Sequence, residues 1–191
     1  MTGPLEPGFA DPVHGAGACF RAVLDAMAHP GRLRTAGIET GAPPLGPAAA
    51  AVLLTLADHE TPVWLDPAAA AAGSWIAFHC GAPIVSDLGS CRFALALSLP
   101  DLAIIPAGTH EEPEASATVI CQVESLTEGR PFQLSGPGLR VPAPLRVTGL
   151  PRAFAAIWAS NHALFPRGID LILCAGGTLT ALPRTTAITE V

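Results

Sequence analysis

The sequence predicts an α/β protein whose mixed β-sheet is covered by helices. Three observations support this fold class: apolar residues recur at helical spacing in several segments, short runs of strand-forming residues separate them, and glycine-containing turns join some of these runs. Half of the 191 residues are apolar and 14% are charged, which is typical of a folded chain. This length suits one sizeable core, so residues 1–191 are expected to form a single domain.

The first predicted helix covers residues 17–28. Apolar side chains lie there at positions i, i+3, i+4 and i+7, which form one face of a helix. They are Phe20, Val23, Leu24 and Met27. Pro30-Gly31 ends this helix, because proline disfavours helical backbone in the residue before it and glycine permits the chain to reverse.

Two further helices are predicted later in the chain. The one at 47–57 has Pro47 in its first turn and is apolar nearly all round, so it is expected to be buried. The one at 151–164 carries Asn161 on its apolar face, where the amide either caps locally or bonds across the core. A brief helix is predicted at 68–72.

Short apolar runs predict the strands. They cover residues 32–36, 63–65, 75–80, 92–97, 118–126, 130–134, 169–174 and 179–182. Glu128-Gly129 is predicted to fold 118–126 back onto 130–134 as a hairpin, and Gly176-Gly177 joins the last two strands in the same way. Segments 106–117 and 135–144 are predicted to be loops. In the strand at 75–80, His79 and Cys80 would point to opposite faces and so could not form a catalytic pair.

The charge of the chain excludes several classes of partner. A net charge of −6 argues against a nucleic-acid partner and against an anionic membrane surface, since both require a basic face. The most apolar stretch, 48–57, is shorter than the about 20 residues that span a bilayer. The first 13 residues lack the basic start and the apolar run of a signal peptide. A cytoplasmic location is therefore expected.

The reactive residue types limit the chemistry further. All ten basic residues are arginines, so a Schiff base with pyridoxal phosphate has no lysine to form on, and no cofactor is expected. The five cysteines have no C-x-x-C spacing, and no metal site is predicted. Gly136-Pro137-Gly138 lacks the third glycine of a dinucleotide-binding fingerprint and is interpreted as a tight turn.

A few polar residues are candidates for a site. Asp58, beside His59 and Glu60, and Asp170, at the start of a predicted strand, are the candidate catalytic acid–base groups. Arg130, at a hairpin tip, and Arg184 with Thr185, after the last strand, are candidate ligands for a phosphate or phosphonate. Simpler interpretations compete with these: a polar stop after a helix, exposed arginines without a ligand, and an Asp170 carboxylate that holds the fold together with an arginine.

Several segments, taken in order along the chain, are similar to one known family. They are FADPV at 9–13, FR at 20–21, AMAHPG at 26–31, LLTLAD at 53–58, TPVWL at 61–65, SL and GR at 125–126 and 129–130, GPG at 136–138, FP at 165–166, GIDLIL at 168–173 and PRTT at 183–186. Together they resemble the H-subunit (PhnH) family of the carbon–phosphorus lyase system, which degrades phosphonates.

The resemblance implies a fold, partners and a reaction. The fold would be a three-layer αβα sandwich like a trimmed large domain of pyridoxal-phosphate-dependent transferases, without the cofactor. The family forms homodimers and joins the G, I and J subunits, and with them it supports replacement of the adenine of MgATP by a phosphonate. The resemblance supplies no catalytic residues.

Three functions remain open from the sequence. The first is an accessory subunit that works by forming interfaces, which would require an apolar surface patch. The second is a stand-alone enzyme on a phosphorylated small molecule, in which the candidate carboxylates and arginines would converge on one pocket. The third is a ligand-binding module that keeps an anion site without turnover.

Overall fold

The computed structural model describes residues 8–37 and 41–191 and has four α-helices and ten strands within them. The helices are α1 Pro12–Ala28, α2 Pro47–Leu56, α3 Gly73–Cys80 and α4 Phe154–His162. The strands are β1 Arg34–Thr35, β2 Val63–Leu65, β3 Ile84–Val85, β4 Phe93–Ala96, β5 Thr118–Gln122, β6 Ser125–Ser135, β7 Ala143–Thr148, β8 Asp170–Ala175, β9 Thr178–Leu182 and β10 Ala187–Glu190. Residues 1–7, which begin the segment compared with signal peptides, lie outside this description.

Seven strands form a mixed sheet in the order β1-β9-β8-β5-β4-β2-β3. The five strands from β8 to β3 run parallel, whereas β9 is antiparallel to β8 and β1 is antiparallel to β9. The predicted mixed sheet with helices is confirmed, and so is the hairpin through Gly176-Gly177, which joins β8 to β9. In the described part of the chain, no helix is long and apolar enough to cross a bilayer.

Both faces of the large sheet are buried, and alternate residues of each strand belong to different halves of the core. In β8, Ile172 packs with α1, α2 and α3, while Leu171 and Leu173 pack on the other side. Strand β5 alternates in the same way. This two-sided burial explains why the central strands are continuous apolar runs.

The layer on the second face consists of a sheet as well as a helix. Strands β10, β6 and β7 form an antiparallel three-stranded sheet, and its residues Phe132 and Leu145 share the second half-core with Phe154 and Trp158 of α4. The expected helical third layer is thus present only as α4. The likeness to a transferase large domain is not tested by this architecture alone.

Helix α1 begins at Pro12, five residues before the predicted start. Asp11 caps it by accepting a hydrogen bond from the backbone N–H of His14 at 3.0 Å, and proline is favoured in a first turn. The apolar pattern predicted the helix correctly, but it includes residues that lie outside the buried face of the helix. Val23 is buried, whereas Phe20 is 46% and Leu24 is 52% exposed.

The segment predicted as a strand at 75–80 is instead helix α3. A 3₁₀ helix at Pro67–Ala72 runs directly into it, and the left-handed Gly81 (φ 67°) ends it. The alternation argument for His79 and Cys80 therefore does not apply, because neighbouring helical residues lie about 100° apart.

The predicted hairpin across Glu128-Gly129 is also wrong. β5 lies in the centre of the large sheet, whereas β6 is one long strand of the small sheet that runs through this dipeptide. A register shift between Ser125 and Arg130 accommodates the left-handed Gly129 (φ 94°), which is the geometry of a β-bulge. The segment predicted as a loop, 135–144, ends with the first two residues of β7, and Pro144 is tolerated there because β7 is an edge strand.

Candidate functional site

Asp170 and Arg184 meet at one end of the large sheet. Asp170 is the first residue of β8, and Arg184 follows β9. The guanidinium donates from Nη2 to Asp170 Oδ2 at 2.5 Å and from Nε to Oδ1 at 3.2 Å, while the backbone N–H of Arg184 reaches Oδ1 at 2.8 Å. Only 16% and 14% of the two side chains are exposed, so they form a largely buried ion pair.

The rest of this guanidinium is also occupied. Nη1 donates to the carbonyl of Pro113 at 2.8 Å, and Nη2 donates to the hydroxyl of Ser116. The pair therefore holds the segment before β5 against the start of β8. We define Asp170, Arg184, Ser116 and the Pro113 carbonyl as the Asp170 cluster.

The position of the Asp170 cluster favours a structural role. It lies at the amino ends of the parallel strands β5 and β8, whereas ligands of open parallel sheets bind outside the carboxyl ends. Both carboxylate oxygens of Asp170 and all three side-chain nitrogens of Arg184 take part in hydrogen bonds within the chain. The competing interpretation of Asp170 as a fold-holding carboxylate is thus the one that the geometry supports.

Helix α4 is tied to the same region by polar side chains. Asn161 is 4% exposed; its Nδ2 donates to the carbonyl of Ile169 at 2.9 Å, and its Oδ1 accepts from the N–H of Ile169 at 2.8 Å. The amide thus bonds across the core, one of the two roles foreseen for it. Trp158 Nε1 donates to the carbonyl of Thr186 at 2.7 Å. The neighbouring Thr185 is half-buried, and its side chain makes no hydrogen bond to a described residue.

Arg130 belongs to a different network. It donates to the carboxylate of Glu190 and, at 3.0 Å, to the carbonyl of Pro151. Its guanidinium carbon also lies 5.5 Å from the ring centroid of Phe132, which is within cation–π range. Among the described residues, no hydrogen bond or ion pair joins Arg130 to the Asp170 cluster, and its own charge is matched by Glu190.

Asp58 closes the turn that follows α2. Its Oδ1 accepts from the backbone N–H of Glu60 at 2.9 Å and from the hydroxyl of Thr61 at 3.1 Å. These bonds, the one from Glu60 first, lower the pKa of Asp58, because hydrogen bonds to a carboxylate favour its charged form. His59 and Glu60 beside it are about 80% exposed. The trio therefore ends a helix, as the simpler interpretation had it.

The described cysteines are poor nucleophiles. Burial raises the pKa of Cys80 and Cys91 to about 11 and that of Cys121 to about 12, so these thiols stay protonated near neutral pH. Among the described residues, no group of three or more histidine, cysteine, aspartate or glutamate side chains could hold a metal ion.

A second charged cluster, whose residues are not among the candidates predicted from the sequence, lies at the end of α1. Asp25 accepts from Arg34 Nε at 2.5 Å and from Arg32 Nη1 at 3.3 Å, and its Oδ1 lies 3.2 Å from His29 Nδ1. The bond from Arg34 is the largest cause that lowers the pKa of Asp25. We define Asp25, His29, Arg32 and Arg34 as the Asp25 cluster. The i, i+4 spacing of Asp25 and His29 was the one signal available in the sequence.

Comparison with known proteins places the chain in a family. A model of the bacterial phosphonate metabolism protein (PhnH) family matches residues 7–189. The chain is 44% identical over 188 residues to the alpha-D-ribose 1-methylphosphonate 5-triphosphate synthase subunit PhnH of Rhizobium meliloti, covering 94% of this chain and 93% of that protein. It is also 40% identical over 81 residues to HtxG of Stutzerimonas stutzeri, provisionally named a C-P lyase subunit protein, which covers 42% of each chain.

The match spans both halves of the core, the Asp170 cluster and the Asp25 cluster. It also agrees with the resemblance read from the short segments of the sequence. The chain belongs to the bacterial phosphonate metabolism protein (PhnH) family.

Proposed function

We propose that the chain is a subunit of the carbon–phosphorus lyase core complex, an α-D-ribose 1-methylphosphonate 5-triphosphate synthase, and acts mainly through assembly. The observation that carries this proposal is the 44% identity, over 94% of the chain, to a subunit with that name. In the reaction implied by the family, a phosphonate replaces adenine at C1 of the ribose of MgATP. The chain supports this transfer in the complex and is not expected to catalyse it alone.

The state of the candidate residues supports a role in assembly. Asp170 and Arg184 neutralise each other, Arg130 is paired with Glu190, and Asp58 caps a turn. A general base needs a proton acceptor that can reach substrate, and these carboxylates already accept bonds from the chain itself. The protonated thiols supply no alternative nucleophile.

Two exposed apolar surfaces support the expected interfaces. The first, on the outer side of α1, consists of Val13 (80% exposed), Phe20 and Leu24, which lie at i, i+7 and i+11 and so form one stripe. The second lies around a cavity of about 440 Å³ between α4 and residues 101–103, whose lining includes Ile157 and Leu164. Phe165, the next residue in the chain after Leu164, is 60% exposed. Large apolar side chains exposed in groups are typical of protein interaction sites.

We propose that these surfaces serve a homodimer and the contacts with the G, I and J subunits. We further propose that the subunit works in the cytoplasm and without pyridoxal phosphate. The absence of lysine from the sequence supports the second point, because the cofactor is held and activated through a lysine Schiff base.

The test is reconstitution of the complex. The chain is co-expressed with the G, I and J subunits, purified through a tag on the I subunit, and assayed for adenine release from MgATP and methylphosphonate. We expect the chain to co-purify and adenine release to depend on it. A chain that stays free, together with activity that does not need it, would contradict the proposal and favour a stand-alone enzyme.

A paired variant sharpens this test. Phe20→Ser with Leu24→Ser removes two of the three side chains of the α1 stripe, and neither belongs to a core cluster. We expect this double variant to lose dimerisation or co-purification while its unfolding midpoint is kept. Arg21→Ser, an exposed change on the same helix, is the control and should assemble normally.

A further inference from the structure

Two of the short segments that carry the family resemblance meet in space. His29-Pro30-Gly31 ends α1, and Gly136-Pro137-Gly138 follows β6 more than 100 residues later. A Cβ on Gly138 would lie 2.1 Å from the carbonyl oxygen of Ala28, and one on Gly31 would lie 2.7 Å from Leu134 Cδ1. Both glycines have positive φ, 85° and 82°. Only glycine permits this backbone shape together with this close approach.

The contact of the two loops leaves a cleft of about 550 Å³. It is lined by His29 and Arg32 on the α1 side and by Leu139, Arg140 and Val141 on the other. We call it the α1–β6 cleft. Its volume falls in the range of small-ligand sites, and the loop from 135 to 144 contributes no acidic residue to it.

The cleft carries a surplus of positive charge in an acidic protein. Its lining contains Arg32 and Arg140 and no carboxylate. The neighbouring Asp25 is shared between Arg32 and Arg34, so the three arginines and one carboxylate leave two positive charges, whereas the whole chain has a net charge of −6. Arg140 makes no hydrogen bond or ion pair with a described residue. Its guanidinium is therefore available to an oxyanion, which it can bind through two parallel N–H groups.

Arg184, Arg130 and Arg92 lack this combination. Arg184 and Arg130 are matched by Asp170 and Glu190. Arg92 lines a cleft of similar size, but that cleft also contains Glu60, whose negative charge opposes an anion.

One feature of the α1–β6 cleft works against an anion, namely the carbonyl end of α1. Two of its carbonyls are already bonded: that of His29 accepts from the N–H of Arg32 at 3.0 Å, and that of Asp25 accepts from both the N–H and Nδ1 of His29. The carbonyl of Ala28 is covered by Gly138. The guanidinium groups, with full charges, outweigh the remaining partial charges.

We propose that the α1–β6 cleft binds a multiply charged oxyanion of the phosphate or phosphonate class, with Arg140 and Arg32 as its main ligands. This property is additional to assembly, because it would be present in the isolated chain. A triphosphate tail and a free phosphonate share the chemistry that the arginines recognise. Comparing the binding of inorganic triphosphate with that of methylphosphonate therefore identifies which of the two the cleft prefers.

The test is calorimetric titration of the isolated chain, at low and at physiological salt, with inorganic triphosphate, methylphosphonate and, for comparison, sulfate. We expect Arg140→Gln to weaken binding of the preferred probe about tenfold, since a hydrogen-bonded charge contact contributes about that factor. Arg152→Gln is the control, because it removes the same charge from an exposed arginine that makes no hydrogen bond or ion pair with a described residue. Circular dichroism verifies that both variants fold.

The outcomes separate cleanly. Preference for triphosphate assigns the cleft to a nucleotide tail, and preference for methylphosphonate assigns it to the phosphonate. Either result supports the proposal if the Arg140→Gln variant binds the preferred probe more weakly and the Arg152→Gln variant binds it as the wild type does. Undetectable binding of both probes, equal binding of sulfate, or equal loss in the two variants overturns it. If Arg140→Gln instead releases another subunit from the complex while no anion binds, the cleft is a protein-docking surface and the proposal is likewise overturned.

Discussion

The Asp170 cluster and the Asp25 cluster each pair an aspartate with arginine, but they differ in charge balance and burial. At Asp170, one arginine meets one carboxylate, and only about a sixth of each side chain is exposed. At Asp25, one carboxylate is shared by two arginines and a histidine that are 37–45% exposed, and Arg140 lies across the adjoining cleft. A balanced, buried pair stabilises the fold, whereas an exposed surplus of arginines leaves charge for a ligand.

The largest effect is expected from Arg184→Ala. It leaves Asp170 mostly buried without a counter-ion and removes the bonds to Ser116 and Pro113, so we expect a loss of about 4 kcal/mol in the free energy of unfolding. Urea denaturation followed by circular dichroism measures this loss. Arg152→Ala, at an exposed site, should change stability by less than about 0.5 kcal/mol. Similar small losses in both variants would contradict the contrast between the clusters.

Gly138→Ala tests whether the two loops of the α1–β6 cleft are held in contact. The left-handed backbone costs a side chain about 1–2 kcal/mol, and the Cβ would also overlap the carbonyl of Ala28, so we expect about 3 kcal/mol in total and weaker anion binding. Gly176→Ala is the matched control, because its φ is also positive but no atom lies within 4 Å of the added Cβ. If the two variants lost equal stability, the close contact would contribute nothing.

Asn161→Ala tests the amide that joins α4 to the start of β8. It leaves the buried N–H and carbonyl of Ile169 without their partner, and we expect the free energy of unfolding to fall by about 2 kcal/mol. Ser160→Ala, one residue away on the exposed side of the helix, is the control. Urea unfolding of both variants measures the difference, and an Asn161→Ala protein as stable as the control would contradict the assigned role.

Local patterns in the sequence predicted most elements of the large sheet. The apolar runs of β5 and β8 and the Gly176-Gly177 turn were sufficient, because both faces of these strands are buried and short-range signals agree with the tertiary structure. The prediction was wrong for 75–80, where a short apolar segment fits either a strand or a helix. It was wrong again for β6, because no local signal shows that this strand leaves β5 for a second sheet.

The charged clusters were less accessible to sequence reasoning. Asp170 and Arg184 are both candidate site residues by sequence, but their spacing of 14 residues does not show that they neutralise each other. Arg140 lies in a glycine- and proline-rich segment that predicts a loop, and no local pattern places it beside another charged residue. Its proximity to Arg32 arises from the packing of Gly138 on Ala28, which is a contact between distant segments.

The smallest effect is expected from Asp25→Asn, and it is a dependence on pH. Arg34, as the largest cause, lowers the pKa of Asp25 in the folded protein, so the folded state binds this proton less readily than the unfolded state. The stability due to Asp25 is therefore fully present above the ordinary pKa of about 3.9 and is lost as pH falls through the lower, folded value. We expect the free energy of unfolding to decline less steeply in Asp25→Asn than in the wild type between pH 5 and pH 3, measured by urea denaturation, while Glu128→Gln at an exposed site follows the wild type.

Because the Asp25→Asn substitution also removes the one negative charge that offsets Arg32 and Arg34, it should tighten triphosphate or methylphosphonate binding at pH 7, measured by calorimetric titration. Weaker binding would mean that Asp25 is needed to orient those arginines.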